Sequence, residues 1–346
     1  VSAALPGVLA ADAGVFFQPG GGAPFTVAAK PWEADGLGNH RAGVRVPEAG
    51  AVARAVLDWR RTDPKPEVKR LIVAVAETGA VVSNAVAAEI SADRGVVEFE
   101  PVAGAADYFV YYLPYRERQG SHNGRWMPDW NDYFKPDPAA GRAWRKTCAE
   151  ARSVACETLR FEARAPFEAF GPTGVRMTAA ETDALRKAHP ENPVVFTEDR
   201  TCPVHPASWL PAKWAAGARH DSFAGTALRD EYYVWQIVAW TPGGAVRNVR
   251  LAFSDLVRDG GGTLPGASIT CINTDGVNWD GTPFRAVVDV PANRVQPLWC
   301  GVMVPRDAKS GVYRGRATLT ADGVAPRRVE VTAEVKPSLG LAPAAY

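Results

Sequence analysis

The most constraining feature of the sequence is a succession of short runs with a two-residue apolar alternation, each cut off by glycine or proline. Ala42–Val46, Ala53–Arg60, Val96–Glu100, Asn248–Phe253, Ala286–Val290, Arg316–Thr320 and Val329–Val335 all show it. That period places alternate side chains on opposite faces of an extended chain, which is the pattern of half-buried strands. Leu71–Val75, Asp107–Leu113 and Glu231–Trp240 are more continuously apolar, as strands buried on both faces are. With 32 Gly and 28 Pro supplying turns, many strands at this spacing predict a mainly β chain.

Two helical stretches interrupt the pattern. Ala139–Ala155 places Trp144, Thr147, Cys148 and Ala151 on one face, and Thr178–His189 opens on a Thr-x-x-Glu box and stops before Pro190. The expected organisation is two β-sandwich domains joined by a segment with short helices. Residues 1–14 are an arm or signal remnant and 15–165 a first sandwich with a long aromatic loop and a helix. A helical linker follows at 166–200, a second sandwich at 201–336 and a further linker at 337–346. Pro297 marks Val295–Val304 as an edge or bulged strand, and Ala321-Asp322-Gly323 reads as a hairpin turn.

Composition excludes several functions. Lys+Arg at 39 against Asp+Glu at 38 leaves a net charge of +1, without the basic excess of a general nucleic-acid binder. No run of eighteen apolar residues predicts a membrane span. The Ala-rich start Val1–Ala13 reads either as the tail of a secretory signal or as a disordered arm, so export stays one of two readings. Five cysteines, Cys148, Cys156, Cys202, Cys271 and Cys300, are spread widely; their odd number excludes a complete disulfide framework, and none of their spacings matches a zinc module. The five read as separate buried thiols; the alternative is that Cys271 and Cys300 pair if their strands lie side by side.

The search for chemistry finds no catalytic set and no metal or cofactor motif. There is no Gly-x-Ser-x-Gly elbow, and no His-Glu-x-x-His. His205 sits in a Pro-rich turn, while His122 and His220 read as exposed. Asp259–Thr263 is Gly-rich but lacks the lysine of a phosphate loop. Asp230-Glu231 is the one tempting carboxylate pair, yet neighbours on a strand point to opposite faces. Two aromatic-polar loops are better candidates for carbohydrate. Trp126, Trp130 and Tyr133 lie among Asn, Arg and Asp, and Asn278, Trp279 and Asp280 form a second group. Aromatic rings suit the flat C–H faces of sugars, and amides and carboxylates suit their hydroxyls. Loops anchored by a buried Trp are the competing explanation for both.

The second half, through Trp235–Trp240, Phe253-Ser254-Asp255-Leu256, Ile272–Phe284, Gln296–Pro305 and Gly311–Gly315, resembles the domain that precedes the barrel in glycoside hydrolase family 123-like proteins. The first half, with Tyr108–Tyr115, is similar to the opening region of longer members. The resemblance implies N-terminal β-sandwich regions followed by a catalytic (β/α)8 barrel in an enzyme of β-N-acetylgalactosaminidase type. There the substrate's acetamido group is the nucleophile, assisted by an Asp-Glu pair in the barrel. The chain reaches Tyr346 where that barrel is expected to begin, and Asp230-Glu231 does not match the barrel pair. The expected function is therefore a non-catalytic accessory region, inactive by itself, whose partners are carbohydrate and the barrel of the same polypeptide. The rival is an independent carbohydrate-binding module, and a complete hydrolase is the third reading.

Overall fold

A computed structural model of the chain describes residues 15–18, 22–48, 50–116, 133–135, 138–171, 173–217 and 221–340. The chain is mainly β, of β-sandwich type, with two α-helices among the described residues. It divides into two compact units, Val1–Thr178 and Ala179–Tyr346.

The first unit contains strands β1 (Val15–Phe17), β2 (Phe25–Val27), β3 (His40–Arg45), β4 (Val52–Leu57), β5 (Ile72–Val75), β6 (Ala85–Ile90), β7 (Gly95–Phe99) and β8 (Asp107–Tyr111). Helix α1 (Pro138–Thr147), β9 (Ser153–Ala155) and β10 (Glu157–Ala163) complete it. A six-stranded sheet runs β1-β2-β10-β3-β8-β5 and a four-stranded sheet β6-β7-β4-β9. The sheets meet through apolar side chains, as where Phe99 of β7 packs on Tyr108 of β8 with ring centroids 4.9 Å apart. Strand β4 stops at Leu57 rather than at the expected Arg60. Arg60 takes a positive φ of 48°, which a strand cannot continue through, and Trp59 turns inward to donate its indole N–H to the Ser91 carbonyl.

Helix α1 is shorter than the periodicity suggests. It ends at Thr147, the chain turns over Cys148–Ala151, and Ser153–Ala155 adds in parallel to Val52–Arg54 of β4. The open edge of β4 offers a ladder of backbone bonds that a continued helix would leave unmade.

The second unit begins with α2 (Ala179–Ala188) and β11 (Val194–Asp199). It continues through β12 (Ser222–Arg229), β13 (Glu231–Trp240), β14 (Val246–Phe253), β15 (Leu256–Arg258), β16 (Thr263–Leu264) and β17 (Thr270–Cys271). The remaining strands are β18 (Asp275–Val277), β19 (Pro283–Arg285), β20 (Val288–Val290), β21 (Val295–Val304), β22 (Gly311–Ala321) and β23 (Val324–Leu339). One sheet runs β11-β13-β21-β17. The other runs β12-β23-β22-β14-β20 with β15 and β16 joined to it through β22, and β18-β19 is a separate hairpin. Trp235 of β13 fills the space between the sheets, stacked on Phe223 of β12 at 5.8 Å and edge-on to Phe253 of β14 at 6.3 Å.

Two local expectations change here. Strand β21 lies inside its sheet with unbroken pairing to β13, so Pro297 marks neither a true edge nor a bulge. The neighbour on its other side, β17, reaches only Cys300 and Gly301. Along that side Val295 N–H bonds the Ala207 carbonyl and Trp299 N–H bonds Asn273 Oδ1. Pro297, between them, sits where no strand asks for a donor. Strand β23 also continues through Lys336-Pro337-Ser338-Leu339, a stretch that reads as linker in sequence, with Leu228 opposite Lys336 and Arg229 opposite Leu339. Pairing to β12, rather than side-chain pattern, carries the strand that far. The expected turn at Asp322-Gly323 joins β22 to β23, with Gly323 at φ +67°.

Candidate functional site

The Asn278–Asp280 group sits at the tip of the β18–β19 hairpin. Asn278 N–H donates to the Thr282 carbonyl at 2.8 Å, and Gly281, at φ +84°, donates back to the Asn278 carbonyl at 3.0 Å. Asp280 Oδ1 accepts from both the Thr282 hydroxyl (2.6 Å) and the Thr282 N–H (3.0 Å), and Asn278 Nδ2 donates to Thr282 Oγ1. These bonds, the hydroxyl's first, hold the Asp280 carboxyl below its ordinary pKa. The turn is thus fastened by its own polar groups, and Trp279 is left 99% exposed at its apex. Val277 and Val287 nearby in sequence are also exposed. The arrangement is a stiff projection bearing one bare indole, which can lie flat on an apolar face but encloses nothing.

The other group is only partly visible. Trp126 and Trp130, with His122, lie outside the described residues, as does His220 in the second unit. Tyr133 is half-buried; its ring meets Tyr115 edge-on at 6.0 Å and carries Lys69 Nζ 4.5 Å from its centroid. Burial first, then the nearby Asp63 charge, raises its pKa. Tyr133 therefore anchors its end of the loop beside a polar cluster that the sequence did not single out. Within that cluster Asp63 accepts two 2.8 Å bonds from Arg61 and one of 2.6 Å from Lys69 Nζ. Burial opposes ionisation of Asp63, but its bonds to Arg61 and Lys69 prevail and lower its pKa. The only sequence signal was charge where a strand had just ended, which ordinarily marks a solvated turn.

A cavity of about 620 Å³ opens in the first unit between the diverging edges β5 and β6. Ile72, Val73, Val82, Val86 and Val97 line it, with Lys69, Glu89 and Arg142 among its polar groups. It does not include Tyr133 or the hairpin tip.

Asp230 and Glu231 serve the β12–β13 turn. Asp230 has φ +61° and faces Arg306 at 3.7 Å, while Glu231 accepts from Leu228 N–H at 2.7 Å and pairs with Arg200. His205 is exposed in its turn. Among the described residues no group of three or more His, Cys, Asp or Glu is placed to hold a metal, and no helix is long and apolar enough to cross a membrane.

Comparison with known proteins gives two family matches. Residues 30–164 match the glycoside hydrolase 123 N-terminal domain, and residues 213–321 match a second model of the glycoside hydrolase 123 N-terminal domain. No curated protein sequence matches the chain. Among solved structures, a family 123 glycoside hydrolase from Clostridium perfringens, studied for glycolipid glycan hydrolysis, is 22% identical with a TM-score of 0.30. That match covers 35% of this chain, which spans only 24% of the hydrolase. The PapD-like domain 7 of human CEP192 is 14% identical over 35% of this chain and 84% of its own, TM-score 0.22. The CupB6 tip adhesin of Pseudomonas aeruginosa is 11% identical over 91% and 87%, TM-score 0.21. Similarity at this level carries no functional argument; the two domain matches, one in each unit, do identify the chain as an N-terminal region of the glycoside hydrolase 123 type.

Proposed function

We propose that this chain is the non-catalytic accessory part of a glycoside hydrolase-like protein, supporting a (β/α)8 barrel and adding a carbohydrate contact through the β18–β19 hairpin. The observation that supports it is the pair of N-terminal domain matches, one in each compact unit. The carbohydrate contact rests on Trp279, whose indole is bare while Asn278 and Asp280 stiffen the turn beneath it. An indole on a rigid turn loses little freedom when a sugar ring packs on it. The charged side chains most suggestive of glycosidic chemistry, Asp230 and Glu231, already serve a turn and two arginines.

The test is binding in trans. The chain is mixed with a separately produced barrel of a family 123 hydrolase, and association is followed by sedimentation velocity, with aryl N-acetylgalactosaminide turnover as a second readout. Association that leaves the chain itself without turnover is the expected result. Turnover by the chain alone would overturn the accessory reading. An independent carbohydrate-binding module, the second reading, also draws on Trp279. It predicts retardation of the chain alone in polysaccharide gels, lost in Trp279→Ala, with no association to the barrel.

A further inference from the structure

Cys271 and Cys300 are far apart in sequence, but β17 pairs antiparallel with β21 so that the two residues stand directly opposite one another. Both are buried and both belong to the core of the second unit, so their side chains share the inner face of the sheet. One step along the ladder, Ile272 N–H donates to the Trp299 carbonyl at 2.8 Å. Backbone bonds in an antiparallel pair fall on alternate partners, so Cys271 and Cys300 form a pair without them. In that class of pair Cα atoms approach to about 4.5 Å, within the roughly 4.4–6.8 Å that a disulfide spans. Neither sulfur is bonded to another in the structure. The Cys300 thiol donates to the Leu298 carbonyl at a long 3.5 Å. The Thr274 hydroxyl and N–H both donate to the Cys271 carbonyl, at 3.1 and 2.9 Å, so the turn after β17 is fastened through its backbone.

We propose that Cys271 and Cys300 are a disulfide-forming pair that locks the short edge strand β17, and with it the base of the Trp279 hairpin, to the central strand β21. Strand β17 has two residues and a single flanking strand, so local opening gives an oxidant access to Cys271. With oxidised glutathione as the disulfide reagent, the Cys271 thiolate attacks one of its sulfurs and releases one glutathione thiolate. The Cys300 thiolate then attacks the Cys271 sulfur of the mixed disulfide and releases the second. The two thiol protons end on the two glutathiones, and the electrons balance. The bond closes the loop 272–299, which holds the hairpin. The proposal is independent of what Trp279 contacts.

The full chain is equilibrated with oxidised and reduced glutathione, quenched with acid, and mapped by mass spectrometry of unreduced peptides. The expected result is a loss of two mass units and a linked peptide pair containing Cys271 and Cys300. The oxidised chain should melt roughly 10 °C above the reduced one, from the entropy of a closed loop of this length. That rise is absent in Cys271→Ser, while a Cys202→Ser chain keeps it. If both thiols remain alkylatable in every buffer that leaves the chain folded, or if either links elsewhere, the proposal fails. Peptide mapping of the unsubstituted chain decides this even if a serine variant does not fold.

Discussion

Gly95 lies against the face of Trp59 so closely that a Cβ on residue 95 would stand 2.2 Å from the ring. Trp59 cannot yield, because it is 1% exposed, bonded through its indole to Ser91 and packed on Tyr112 at 5.6 Å. Gly95→Ala should therefore cost about 3 kcal/mol through overpacking alone. Urea unfolding of the first unit checks it. Gly95→Ala combined with Trp59→Phe should lose less than the two single changes added together, since the smaller ring removes the clash.

His40 supplies a pH dependence. It is sandwiched between Phe170, at 4.5 Å, and Tyr112, and its Nε2 lies 2.9 Å from the Glu168 carbonyl. Burial lowers its pKa to about 4, outweighing the Glu168 carbonyl and carboxylate, which favour the charged ring. A base whose folded pKa lies below its unfolded value of about 6.5 takes up protons more readily when unfolded. Its contribution is therefore fully present above about pH 6.5 and is lost as pH falls toward 4, by at most about 3 kcal/mol. Stability measured from pH 7 to 4 should fall along this curve, and His40→Phe should flatten it. An imidazole that titrates above pH 6 by NMR in the folded chain would refute the argument.

Much of this architecture is legible in the sequence where apolar alternation and tertiary burial agree. Glu231–Trp240 reads as a strand with the bounds the structure gives it, because from Trp235 onward both of its faces are buried. The failures come where backbone pairing decides. Nothing in Ser153-Val154-Ala155 announces that it will pair with Val52–Arg54, and Lys336-Pro337 looks like a linker until β12 lies beside it. The candidate site divides in the same way. Asn278, Trp279 and Asp280 stand out as a turn from composition, whereas the Arg61–Asp63–Lys69 cluster exists only because folding draws two cations around one carboxylate.

Glu162 holds two arginines of neighbouring strands, Arg41 at 2.6 Å and Arg160 at 2.7 Å. The Arg41 guanidinium is buried, 3.4 Å from the centroid of Phe109 and 4.1 Å from that of Trp32. Glu162→Ala leaves that cation without its carboxylate in a site water does not reach, which should cost about 3 kcal/mol. Arg160→Ala removes a side chain that is itself exposed and leaves Glu162 its bond to Arg41, so it should cost under about 1 kcal/mol. Replacing Arg41 by Met and Glu162 by Leu together should restore most of the loss, since an apolar pair needs no counter-charge. Equal losses for Glu162→Ala and Arg160→Ala in denaturant titrations would contradict this ranking.

Trp279 separates stability from binding. Its side chain is exposed, so Trp279→Ala should leave the thermal midpoint of the chain unchanged, within about 0.5 kcal/mol. If the hairpin contacts carbohydrate, the same change should weaken retention by about tenfold, the equivalent of one lost stacking contact. Asp280→Ala works from the other side. It leaves the indole in place but frees Thr282 from the carboxylate that fastens the turn, so binding should weaken through lost rigidity. Asp280→Asn keeps an acceptor for Thr282 and should retain most of the affinity. Loss of binding in Trp279→Ala with full binding in Asp280→Ala would show that the ring acts without its turn; full binding in both would remove the hairpin from the carbohydrate reading altogether.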